Sequence, residues 1–168
     1  MNAGKRVAFL GIFCALALIM GYLESLIPFN FGIPGMKLGL ANIVIVFALY
    51  YMTPLDAVLI NIARIIINGL LFGSVFSIIF SIFGALFSFA LMLVLMKTKK
   101  FSIIGVSAAG GVAHNIGQLV VACFVVGAVE VIYYVPVLII TGLITGLLMG
   151  VVAMLVVNNI KRIKFFSI

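Results

Sequence analysis

Residues 74–96 read SVFSIIFSIFGALFSFALMLVLM, and the solvent this run requires decides the fold. It carries no charge, and its apolar side chains point in every direction around a helix axis. A barrel strand would alternate polar and apolar at every second residue, which the closing LMLVLM does not do. As a helix rising 1.5 Å per residue the run is about 34 Å long, enough to cross a hydrocarbon core of about 30 Å. In that solvent backbone amides must be satisfied internally, and a helix does so within one segment.

The rest of the 168-residue chain repeats the pattern. It is 67% hydrophobic and 8% charged, with a mean hydropathy of +1.50, whereas soluble domains are about 45–50% apolar. These values predict an all-α integral membrane protein with a single membrane domain over residues 1–168. Six spans are expected, at about 7–27, 38–52, 55–72, 74–96, 102–127 and 132–157. They are separated by Pro, Gly or charge in IPFNFGIPGMK, MTP, NGLLFGS, KTKK and GAVEVIYY. The apolar run after Lys5 and Arg6 continues to Ile27 without a small-x-small cleavage site, so it reads as a first span and not as a removed signal. Cys14 and Cys123 fall within spans and read as packing residues, with no disulfide or metal implied.

The net charge of +7 would suit nucleic acid, but its placement at span ends excludes that reading. With six crossings, Lys5, Arg6, Lys97, Lys99, Lys100, Lys161, Arg162 and Lys164 share one side, which cationic loops mark as cytoplasmic. Both termini are therefore expected in the cytoplasm, and Lys37 lies outside. Span 38–52 would rise only about 22 Å. The Pro/Gly-rich segment 28–38 is accordingly expected to dip into the outer leaflet as a lid-like loop, which irregular backbone does only where protein or a cavity covers it.

A charge at mid-bilayer costs about 2.5–3.5 kcal/mol on insertion scales, so each intramembrane polar group calls for a reason. Arg64 lies halfway along the third span with Asn61 and Asn68 at i−3 and i+4. The GVAHNIGQ run, residues 111–118, brings His114, Asn115 and Gln118 into the fifth span. Glu24 and Asn42 sit near the outer ends of the first and second. Together with Lys37 these are the candidate substrate-binding residues: Glu24, Lys37, Asn42, Arg64, Asn68, His114, Asn115 and Gln118 would line a pocket open to the exterior. Glu24 and Arg64 also allow a second reading, an ion pair that only fixes packing. Asp56 reads as structural, in a capping box behind Thr53 and Pro54, and Glu130 as a solvated loop residue. Small residues recur at four-residue spacing at Gly4 and Ala8, Gly11 and Ala15, Ser77, Ser81 and Ala85, Ala109, Ala113 and Gly117, and Gly142, Gly146 and Gly150. Such ridges let membrane helices approach closely.

Catalysis finds little support. The sequence has no Asp-rich pair for diphosphate chemistry, no Walker A run, no zinc spacing and no Gly-x-Ser-x-Gly, so neither an enzyme nor a cofactor is expected.

The strings ESLIPFNFGIPGMKLGLANIV, GVSAAGGVAHNIGQ and YYVPVLIITGLITGLLMG, with Arg64 between the first two, resemble the membrane family called heptaprenyl diphosphate synthase component I, or the Gx transporter family. The likeness runs over essentially the whole chain. That family is similar in size and topology to the substrate-binding S components of energy-coupling factor (ECF) transporters. The resemblance implies a compact six-helix bundle that captures a micronutrient or precursor from outside, anionic or related to isoprenoids or quinones. It also implies docking through Ala8, Gly11 and Ala15 onto an ECF coupling subunit that carries two ATPase subunits. The older family name implies instead a non-catalytic membrane subunit associated with polyprenyl diphosphate or quinone synthesis, or with membrane electron transfer.

Overall fold

The computed structural model describes residues 3–26, 39–126 and 129–162. The described residues form six helices: α1 (Ala3–Leu26), α2 (Leu40–Tyr51), α3 (Pro54–Phe72), α4 (Val75–Thr98), α5 (Ile103–Val126) and α6 (Val135–Arg162), with a 3-10 turn at Val129–Tyr134 before α6. All but α2 are long and apolar enough to cross a membrane, so the chain is an all-α, multi-pass membrane bundle. The expected lid-like loop 28–38, with Lys37, lies outside the described residues, as does the side chain of Glu130.

Tight turns fix the up-and-down order. Thr53 caps α3 by accepting the Asp56 N–H at 3.2 Å, with Pro54 at the first helical position, as its sequence predicts. Ser74 and Ser77 exchange reciprocal bonds in a capping box that starts α4. Consecutive helices therefore alternate in direction. The start of α1, the α2–α3 turn, the α4–α5 turn and the end of α6 gather at one end, called here the basic end after Lys5, Arg6, Lys97, Lys99 and Lys100.

Helices α3, α4, α5 and α6 pack in sequence, and α2 closes the ring by touching both α3 and α6. Ala41 and the run Val44–Leu49 of α2 are all buried. At about 1.5 Å per residue its 12 residues span only about 18 Å. The helix starts near mid-depth and fills the basic half of the bundle. Helix α1 lies across α2 and α3 and buries Ala17 alone.

Glycines set the closest crossings. A β-carbon added to Gly146 would stand 2.7 Å from the Ala108 Cα, and one on Gly150 would stand 2.9 Å from the Ile104 Cα. Either would collide with backbone that cannot yield. The α6 ridge expected from sequence thus faces Ile104, Ser107, Ala108 and Gly111 of α5. The expected α5 ridge is divided: Gly117 packs against Gly84 and Phe83 of α4, so α5 presents small residues on two sides.

Candidate functional site

Arg64 is the centre of the polar interior. Its position near mid-span leaves it far from either end of α3, and its donors are met by neutral amides. Nε donates to Asn61 Oδ1 at 2.9 Å and one terminal nitrogen, Nη2, donates to Asn42 Oδ1 at 3.1 Å. These bonds aim the planar fork without cancelling its charge. The first follows from the i−3 spacing. The second joins α3 to the first turn of α2 and could not be read from spacing.

Glu24 approaches from α1. Its carboxylate accepts the Gly39 N–H, and Gly39, in the left-handed region at φ 77°, turns the chain into α2. The Gly39 carbonyl then accepts the Asn42 N–H at 2.8 Å. Glu24 also supplies opposite charge that acts on Arg64. One chain of bonds accordingly links α1, the start of α2 and α3.

Glu24, Asn42, Arg64, Ser81, His114, Asn115 and Thr145 line a single hollow of about 40 Å³, together with Gly39 and Gly111. They come from all six helices. A water needs about 10–15 Å³ by this measure, so the hollow has room for a few waters. It is an assembled polar centre in a contracted state, far below the several hundred Å³ of an open small-molecule pocket. The N-terminus of α2 opens into it, and that end of a helix favours negative charge. A group of three metal-ligating His, Cys, Asp or Glu side chains does not occur among the described residues.

The sequence model of the family described as heptaprenyl diphosphate synthase component I matches residues 13–156. The chain belongs to that family. The component I match contains α2 to α5 whole, with Arg64, Asn42 and His114 inside it. No curated protein and no solved structure matches the chain.

The candidate residues divide in the structure. Glu24, Asn42, Arg64, His114 and Asn115 share the hollow. Asn115 is also a clamp: its Nδ2 donates to the Leu138 carbonyl at 2.8 Å and reaches Thr141 Oγ1 at 3.5 Å, tying α5 to α6. Asn68 is placed elsewhere. A β-carbon on Gly21 would lie 2.0 Å from Asn68 Nδ2, so this amide fills a slot on α1 one turn beyond Arg64. The Gln118 stem lies on Gly84 of α4, with the His114 ring beside it, and Gln118 is not among the residues that line the hollow. Ser81 and Thr145 line the hollow but were not singled out as ligand residues. Thr141 and Thr145, four apart on α6, were the available signal.

Asp56 has more to do than its cap implies. It is fully buried, its Oδ1 accepts Arg6 Nε at 2.8 Å and Arg6 Nη2 at 2.6 Å, and its Oδ2 accepts Thr53 Oγ1 at 2.7 Å. This ion pair pins the start of α1 to the α2–α3 turn at the basic end.

Proposed function

We propose that this component I chain is a non-catalytic ligand-binding subunit, similar in role to an S component, that holds a small anionic molecule at Arg64 during uptake. The observation that carries the reading is the convergence of polar side chains on one hollow around a guanidinium whose bonded partners are neutral. A structural ion pair would set Arg64 directly against a carboxylate. Asn42, His114 and Thr145 add hydrogen-bonding groups from three more helices, in a medium where losing one partner costs about 1–3 kcal/mol. Lys37 would add a second cation from the lid-like loop. On this reading the basic end faces the cytoplasm, with both termini, and the hollow opens to the exterior.

Native mass spectrometry of the purified chain tests it. Wild-type protein should retain a small molecule that Arg64→Gln loses, with affinity falling about 10–100-fold for one charge-assisted contact. Arg64→Gln should still purify as a monodisperse helical species. Equal retention by both proteins would overturn the reading.

The family description favours a second reading, in which the subunit supports a soluble polyprenyl-synthesis enzyme. In that case charge reversal at Lys97, Lys99 and Lys100 would impair function, and Arg64→Gln would not.

A further inference from the structure

The hollow around Arg64 does not end there. A second chamber of about 20 Å³ lies against it and shares Asn42, Gly111 and Thr145 as common wall. Its own lining changes character: Val46, Met92 and Met149 are apolar, and Ser88 and Ser107 add two hydroxyls. Ser107 is four residues from the start of α5, about 6 Å in from the basic end, whereas Arg64 is about 15 Å in along α3. The two chambers thus form one passage, charged near mid-depth and greasy toward the basic end.

The greasy chamber is walled by deformable side chains. Met92 rests on Gly110, and a β-carbon added there would lie 2.6 Å from its Sδ. The missing side chain at 110 is what makes room for Met92. Methionine has three rotatable bonds and a polarizable sulfur, so it repacks around a guest at low cost. By contrast, the α5–α6 wall is backbone on backbone, as Gly146 and Gly150 show, and cannot part without separating the helices. An entering group would therefore displace Met92 and Met149 and leave the helices in place.

We infer that the ligand is amphipathic, an anionic head at Arg64 carrying a slim apolar tail that extends past Gly111 into the Met92–Met149 chamber. This rests on the binding role proposed above and specifies the class of molecule bound. A head alone would leave the inner chamber without purpose, and a broad ring system would meet the rigid α5–α6 crossing.

The test is a homologous series on the full-length chain in nanodiscs of zwitterionic lipid, titrated calorimetrically against empty nanodiscs. The probes are inorganic phosphate, ethyl phosphate, butyl phosphate and hexyl phosphate. Affinity should rise about threefold per methylene, as burial of each apolar group predicts. It should flatten once the chamber is full. Gly110→Ala pushes Met92 into the chamber, and Met149→Phe fills it from a half-buried position where extra bulk is tolerated. Either variant that elutes as a monodisperse species should bind inorganic phosphate as wild type does while losing the gain from the tail. Equal affinity of wild type for phosphate and hexyl phosphate would overturn the tail and leave the anionic head standing. No binding of any of the four would overturn the head, and the tail with it. A tail gain that persists in the variants would place the alkyl chain outside this chamber and refute the proposal.

Discussion

At the scale of single residues, the partners of a charge decide whether it is structural. Asp56 and Arg64 illustrate the two outcomes. Asp56 meets a guanidinium and a hydroxyl at short range, whereas Arg64 meets amides. Removing Arg6 leaves a buried carboxylate with Thr53 alone. Because Arg6 is partly exposed, at 43%, water lessens the penalty, and Arg6→Ala should cost about 2 kcal/mol. Adding Asp56→Ala should recover part of that loss, since no buried charge then remains. Thermal unfolding of the single and double variants checks the order; a double variant clearly less stable than Arg6→Ala would contradict it. The sequence disclosed half of this site. Thr53, Pro54 and Asp56 form a local cap that spacing reveals, but Arg6 is 50 positions away and only the packing of α1 on α3 brings it there. Asn68 shows the same limit. Its i+4 relation to Arg64 puts both on one side of α3, yet the neighbour along that side changes from the hollow to α1 within a turn, and Gly21 supplies the slot.

Among whole elements, the long helices were legible because a solvent that cannot hydrogen-bond leaves backbone few options. The short second span was legible as an anomaly: too few residues to cross, and apolar throughout. Its resolution, a half-length helix buried on all sides with its N-terminus at mid-depth, depends on which helices surround it. Small-residue spacing predicted close crossings but not their pairing, as the division of the α5 ridge between α4 and α6 shows. This makes the crossings unequal in tolerance. Gly146→Leu should prevent α5 and α6 from meeting, because the new β-carbon falls 2.7 Å from the Ala108 Cα and the Ser107 carbonyl. The expected result is loss of a monodisperse species in size-exclusion chromatography, a cost of several kcal/mol as for severe overpacking. Gly4→Leu, with open space at its β-carbon, should leave the elution profile unchanged.

Across the whole molecule, α1 is the asymmetric part. It buries Ala17 alone, is held at the basic end by Arg6 and near mid-depth by Glu24, and turns Ala8, Gly11 and Ala15 outward, all three exposed. A helix facing lipid only has no need of small residues there, because lipid packs as well against Leu. A helix that receives another helix does need them, since backbones then approach closely and van der Waals contact replaces the hydrophobic drive that a bilayer lacks. The proposed coupling subunit is the occupant this argument requires. Gly11→Leu places a large side chain where the structure has nothing within 4 Å, so folding and ligand retention should match wild type. Co-purification with the coupling subunit should fall at least tenfold, the effect of losing about 1.4 kcal/mol or more of contact. Undiminished co-purification would remove this face from the assembly while leaving the Arg64 site untouched, because the two lie on opposite sides of α1: one turned to lipid, the other closed by Glu24.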